Sequence, residues 1–268
     1  VERPDLDVIF CAAEASRFCC WVQAVGLATG TNSVYGESNF KRFCDAHQPI
    51  FVDNEFRKYD HTKHRKAVER FKPKYATVRD YMTVGQCEQA GIEYYSLPQV
   101  LEFAKDLSDY CENVIVIPKD PKVLNDIPQE YIMGYSVPTM YGGTLFSPTL
   151  LKGRRVHLLG GSFSKQYKAY MSLQQEVVSL DANQASKLAF KGQVLGMLGK
   201  TIPVSSVLHS REFFTSLHYV KRGIYMFALM LSLMSYAQYF KGEYQGKEKE
   251  AKQVPVDTKS FFDPEEED

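Results

Sequence analysis

The stretch VHLLGGSFSKQYKAYMSLQQEVVSLDANQ, residues 156–184, decides the fold. It opens as a buried strand that ends on the glycine pair Gly160-Gly161. A helix-like amphipathic run, SKQYKAYMSLQ (164–174), follows, and then a second short apolar strand, EVVSLD (176–181). Strand, helix and strand in that order form the repeating unit of a parallel sheet. The second strand stops on an acid, Asp181. A hydrophobic strand that delivers a carboxylate at its C-terminal end calls for a reason.

The same alternation recurs outward from this stretch. Apolar runs stand at DVIFCA (7–12), PIFVD (49–53), KYATVR (74–79), NVIVIPK (113–119) and YIMGYSV (131–137), besides RVHLLGG (155–161) and EVVSLD. PVSSVL (203–208) is the candidate for an eighth. Many are rich in Val and Ile, as strands buried on both faces should be. Amphipathic stretches such as LPQVLEFAKDLSDYC (97–111) lie between them. Seven or eight strands alternating with helices predict an α/β chain closed into a (β/α)8 TIM barrel. A doubly wound open sheet is the second choice, but no G-x-G-x-x-G or Walker loop supports it. The barrel domain is expected over 1–240, and a polar, loosely ordered tail over 241–268, ending DPEEED.

Composition sets the limits. The 268 residues are 44% hydrophobic and 24% charged, which suits a globular protein with a sizeable core. Net charge is zero, so nucleic-acid binding would need a local basic patch. The six cysteines (Cys11, Cys19, Cys20, Cys44, Cys87 and Cys111) form no C-x-x-C pair. They read as reduced thiols, and with no secretory signal in view a cytoplasmic location is expected. The run GIYMFALMLSLMSYAQYF (223–240) has 18 uncharged residues but includes Gly223, two Ser, Gln238 and three Tyr. It is expected to be a helix that covers the barrel wall or a partner surface rather than a membrane span.

In parallel barrels the C-terminal strand ends carry the chemistry. Here they offer Asp53, Arg79-Asp80, Pro118-Lys119-Asp120, Gly134-Tyr135, Gly160-Gly161 and Asp181. Asp53, Asp80 and Asp181 would converge on one face, beside glycines that let a flat ligand approach the backbone. An Asp at a strand end can equally be a helix N-cap. Three at once fit that role less well, since Ser or Thr would serve. His157 lies mid-strand and is expected to pack or hydrogen-bond inside. Neither it nor His209 belongs to a ligand spacing, so no metal site is expected.

The segments GRRVHLLGGSFSKQ and EVVSLDAN resemble the tRNA-guanine transglycosylase superfamily. Leu158-Leu159-Gly160 matches its L-M-G strand end, Leu180-Asp181 its F-D, and IFVDNEF (50–56) its I-L-D-S-G-x-F; the likeness covers roughly 5–195. It implies that Asp181 is the nucleophile and Asp53 the second catalytic acid. Asn54-Glu55 stand where the family has Ser-Gly, its C-x-C-x-x-C zinc cluster does not occur in these residues, and no RNA-binding domain is expected after residue 195. The likeness is therefore closest to the shorter DNA-acting branch, DpdA, which exchanges guanine in DNA for a 7-deazaguanine, often in bacteriophage genomes. That implies a pentosyltransferase of the cytoplasm, or of the host cytoplasm if phage-encoded.

The chemistry required of these residues is consistent with that. A carboxylate can attack the anomeric carbon and hold the sugar as an ester, while a second acid protonates the leaving purine and deprotonates the incoming one. One bond is exchanged for a similar one, so no cofactor is required. Asp80 can accept from the ring N–H and amine of guanine, with Gly134, Tyr135, Leu159, Gly160 and Lys119 completing the base site. Lys119 stands where the family commonly has Gln. The block RKYDHTKHRKAVERFKPK (57–74) holds eight Lys or Arg against two acids, plus His61 and His64. From it Lys58, Lys63, Arg65 and Lys66 are candidates for phosphate contacts, although such a block also reads as a solvated helix face. The expected partners are DNA with a flipped-out or single-stranded guanine, the 7-deazaguanine base such as 7-cyano-7-deazaguanine, and other DNA-processing proteins. Tyr59, Tyr81, Tyr135 and Tyr141 are candidates for stacking. Transglycosylation of tRNA, hydrolytic removal of a DNA base, and a non-catalytic nucleic-acid-binding barrel are the alternatives.

Overall fold

Eight parallel strands close on themselves in chain order. They are β1 (Asp7–Cys11), β2 (Ala28–Asn32), β3 (Phe51–Asp53), β4 (Tyr75–Thr77), β5 (Asn113–Val116), β6 (Ile132–Ser136), β7 (Val156–Leu159) and β8 (Val177–Ala182). This computed structural model describes residues 3, 5–11, 22–23, 25–32, 48–139, 142–195, 201–204 and 218–241, the last helix with side chains from Ala228 onward. The chain is thus an α/β barrel of the (β/α)8 type. His209, Tyr141 and the tail beyond Lys241 lie outside the described residues.

Seven barrel strands fall where apolar runs predict them, and the eighth does not. The barrel is completed by β2, ATGTN, paired to β1 through Ile9↔Ala28 and to β3 through Asn32↔Asp53. Of the expected eighth strand at 203–208, Pro203 instead ends β10 (Thr201–Pro203), antiparallel to β9 (Gln193–Leu195) outside the barrel, and residues 205–208 lie outside the described residues. The reason is steric. A Cβ on Gly30 would stand 2.8 Å from Cys11 Sγ and 2.9 Å from Phe51 Cδ1, so β2 must be thin where its neighbours are bulky. A strand of small and polar residues leaves no hydrophobic trace in the sequence.

Side chains alternate between two cores, as strand geometry requires. Ile9, Phe51, Tyr75, Ile115, Ile117 and Ile132 fill the inside. Val8, Phe10, Val52, Val116, Met133 and Leu180 pack outward with the helices. Those helices include α1 (His61–Phe71), α2 (Val84–Ala90), α3 (Leu97–Leu107), α4 (Phe163–Leu173), α5 (Gln184–Phe190) and α6 (His218–Lys241). Local signals set their ends. Asp60 caps α1 by accepting from Lys63 N at 3.0 Å. Thr83 and Gln86 form a capping box on α2, which stops at Gly91 in the left-handed region, φ 64°. α3 buries Val100, Ala104 and Leu107, a stripe at helical spacing.

The apolar run at 223–240 lies within α6, which covers the barrel wall. Tyr236 meets Phe10 of β1 edge-on at 5.1 Å, and Leu229, Leu233 and Phe240 are buried. Two serines of α6 tie β9 to the helix. Ser232 Oγ accepts from Leu195 N at 2.9 Å, and Ser235 Oγ donates to Leu195 O at 2.7 Å. Among the described residues no helix is long and apolar enough to cross a membrane.

Gly134 gives a stability prediction. A Cβ there would lie 2.6 Å from Ile117 Cγ1 and 3.0 Å from both Ile115 Cγ2 and Leu159 Cδ1. Gly134→Ala should therefore cost about 1–3 kcal/mol by overpacking the inner core. Chemical denaturation would show it as a lower midpoint at constant slope. An unchanged midpoint would mean the three side chains shift aside freely.

Candidate active site

The mouth of the barrel is assembled from strand ends, and Asp53 is its most constrained member. It closes β3, and its Oδ1 accepts from Thr77 Oγ1 and from Asn54 N, each at 3.0 Å. Asn54 locks the corner: its side-chain amide donates to Thr77 Oγ1 at 3.0 Å and to Val78 O at 2.8 Å, while its backbone carbonyl accepts from Asn32 Nδ2 at 3.2 Å. The dense protein around the Asp53 carboxyl strips its hydration, and this raises its pKa well above the usual carboxylate range. The charge of Asp181 pushes the same way, the Thr77 hydrogen bond opposes it, and Asp80 adds a smaller push. The three acids of β3, the β4 end and β8 thus share one electrostatic site.

Asp181 faces inward because of an irregularity that a strict two-residue period would miss. Val156 pairs with Val177, but His157 pairs with Ser179, so β8 holds one extra residue at this point. Such a bulge reverses the facing of every later side chain. It sets Asp181 opposite Leu159, on the inner side. There Oδ1 accepts from Gly160 N at 3.0 Å and contacts His157 Nε2 at 3.3 Å. The turn that aims Gly160 N–H needs its glycines, with φ of 54° at Gly160 and 88° at Gly161. From α4, Gln166 Nε2 donates to Asp181 O at 2.7 Å and fastens the strand end from behind.

None of the three acids is the cap of the helix that follows it. The residue preceding α5 is Asn183, α2 is capped by Thr83, and the short 3-10 helix at Phe56–Lys58 is capped by Glu55. Asp80 instead pairs with Lys119 at 3.2 Å, both side chains largely enclosed. Arg79 beside it turns away, donating to Glu93 O at 3.1 Å. The Asp80–Lys119 pair presents acceptor and donor side by side at the mouth.

Other expected members of the base site separate. Leu159 packs against the inner core at the strand end, and Gly160 serves through its N–H. Tyr135 does not belong: its side chain lies in the outer core, its hydroxyl donating to Phe146 O at 3.1 Å. Alternation along β6 turns Tyr135 out when Gly134 turns in. The open face of Gly134 is filled by Ile115, Ile117 and Leu159, so these side chains and not a ligand approach its backbone.

The basic block spans the barrel's height rather than its rim. Lys74 at its far end pairs with Asp7 at 2.7 Å, at the start of β1. Lys63 pairs with Asp60 at 3.5 Å, and Arg65 with Asp106 at 3.8 Å, with Tyr110 Oη 3.3 Å from its guanidinium. Lys58 and Lys66 are exposed. His64 adds no charge: it is buried with Nε2 2.6 Å from Thr77 O, and burial lowers its pKa to about 4. Tyr59 is held among His61, Tyr95 and Phe103, and Tyr81 packs partly against the outer core, so neither is poised to stack on a base. His157, Thr77 and Asn32 are site residues that sequence patterns alone do not single out. Only their place two residues before, or at, an inward strand end could have signalled them. Among the described residues no cluster of His, Cys, Asp or Glu could hold a metal ion.

The Asp53 shift gives a second stability prediction. A raised native pKa means the folded state holds the proton more tightly than the unfolded chain, whose Asp titrates near about 3.9. The stability this contributes is complete below that value and is lost as pH rises through the native pKa. Asp53→Asn keeps the acceptor for Thr77 and cannot ionise. It should match wild type near about pH 4 and exceed it increasingly at higher pH, by about 1.4 kcal/mol per pKa unit of separation. Denaturation curves from acid to neutral pH test this; an Asn variant less stable at neutral pH would contradict it.

A family model described as a family of unknown function, DUF6610, matches residues 22–216, which is most of the chain. The chain belongs to that family. No curated protein matches it.

Proposed function

We propose that this member of the DUF6610 family is a base-exchanging pentosyltransferase, replacing guanine in DNA with a 7-deazaguanine through an ester on Asp181. The observation that carries the reading is the unequal acid pair at the mouth. The Asp53 carboxyl is driven toward its protonated form, and Asp181 is held by N–H donors on one oxygen. A carboxyl held toward its protonated form beside a second, hydrogen-bonded acid is what glycosidic chemistry uses. Asp181 Oδ2 would attack the anomeric carbon as the glycosidic bond breaks, the bond's electron pair leaving with the purine and the Asp53 proton neutralising it. The incoming base would return a proton to Asp53 and displace Asp181 from the sugar. The Asp80–Lys119 pair offers an acceptor for the purine N–H groups and a donor for its oxygen.

Nucleosides from DNA and tRNA of cells expressing the protein and supplied with 7-cyano-7-deazaguanine should be analysed by mass spectrometry. A deazaguanine deoxynucleoside in DNA is expected. Modification of tRNA alone would move the substrate, and unmodified nucleic acid of both kinds would overturn the reading.

The strand should run past the β3 loop, where Arg57 and Lys58 are exposed just beyond Asp53. Arg57→Glu with Lys58→Glu should weaken DNA binding and lower the log–log salt slope by about 0.7 per lost phosphate contact on a single strand. The same reversal at Arg70 and Lys72, farther down the block, should leave the slope unchanged. Equal effects at both ends would place the DNA along the helix instead.

A further inference from the structure

A polar chain runs inside the barrel, between the inner core and the mouth. His157 is fully buried, and its ring stacks on Phe51 with centroids 5.0 Å apart and planes 21° from parallel. Nδ1 lies 2.8 Å from Ser179 Oγ, itself fully buried, and Nε2 lies 3.3 Å from Asp181 Oδ1. A carboxylate oxygen only accepts, so the contact with Asp181 assigns a hydrogen to Nε2, and in that neutral tautomer Nδ1 accepts from the Ser179 hydroxyl. Polar groups in a dry core are costly unless fully partnered, and an aliphatic residue would fill this strand position at lower cost. The bulge in β8 is what brings Ser179 opposite His157 and then turns Asp181 inward, so one local distortion builds the whole chain.

We infer that His157, oriented by Ser179 and Phe51, is a positioning residue for Asp181: together with Gly160 N–H it pins Oδ1, so that Oδ2 is the oxygen that bonds to the substrate. This rests on the base-exchange reading above. In the first step the Oδ2–anomeric carbon bond forms as the bond to the purine breaks, and Oδ1 becomes the carbonyl oxygen of the ester. In the second step the incoming base bonds to the same carbon, the Oδ2–carbon bond breaks, and its electron pair returns to the carboxylate. Negative charge is then shared with Oδ1, where the two N–H donors already point. They act on that oxygen as fixed donors act on a developing oxyanion, with no reorganisation needed at the moment of reaction.

Two measurements test this, one independent of activity. Nitrogen-15 NMR of ring-labelled wild-type protein should place the His157 hydrogen on Nε2, with Nδ1 bare. A hydrogen on Nδ1 with Nε2 bare would overturn the proposal even if base exchange is real. Single-turnover exchange on an oligonucleotide carrying carbon-14 guanine should then be compared for His157→Gln, which keeps an amide N–H, and His157→Leu, which keeps none. His157→Leu should slow the step about 10²- to 10³-fold, the loss typical of one such donor, with oligonucleotide affinity unchanged. His157→Gln should recover most of the rate. Equal loss in both variants, tracking a shared fall in melting temperature, would mean a structural role only and overturn it. Absence of exchange by wild type on DNA and tRNA, with hydrogen on Nε2, would instead sink the base-exchange reading and leave the positioning geometry standing.

Discussion

Asp181→Asn should lose base exchange to the background rate while folding normally. An amide is a poor nucleophile, and removal of a covalent nucleophile elsewhere costs about 10⁶-fold. The amide carbonyl can still accept from Gly160 N, which holds Asp181 at 3.0 Å, so the corner should survive. Asp181→Ala removes that acceptor but sits at the mouth, partly open to solvent, and should also fold. Melting curves with release of labelled guanine check both points. Exchange at wild-type rate by Asp181→Asn would exclude an ester on this residue.

Asp53→Ala should slow formation and resolution of the ester together, because one group gives the proton to the leaving purine and takes it from the incoming base. Positioned acid–base groups contribute about 10²- to 10⁴-fold. With wild-type protein, guanine release should keep step with incorporation of the new base, and abasic sites should stay rare because the bound strand and base cover the mouth and keep water from the ester. Abasic sites that accumulate without added deazaguanine would make the protein a hydrolytic glycosylase. A loss confined to one half-reaction would show that a second residue shares the proton work.

The barrel is legible because β5, β6, β7 and most other strands are buried on both faces and so read as apolar runs, Val- and Ile-rich in β5. β2 is not, since its neighbours Cys11 and Phe51 demand Gly30 and leave ATGTN without an apolar signature. Asp53, Asp80 and Asp181 could be read as strand-end acids from the runs that precede them. What single-sequence periodicity hides is facing. Tyr135 follows Gly134 by one residue and therefore points out, into the core with Phe146. His157 packs and hydrogen-bonds inside as its mid-strand place predicts, but the β8 bulge that makes Asp181 its partner adds a residue that no pattern announces. The acids that meet part of the basic block are distant in sequence, Asp106 on α3 facing Arg65 and Asp7 on β1 facing Lys74, so its local charge count does not show which cations are paired.

The most direct measurement is peptide mapping by mass spectrometry after acid quench of wild-type protein with a guanine-containing oligonucleotide and no incoming base. A pentose-linked adduct on the peptide bearing Asp181, lost on addition of 7-cyano-7-deazaguanine as the new base enters the strand, is the expected result. An adduct on any other residue, or exchange that proceeds with the Asp181 peptide never modified, would contradict it.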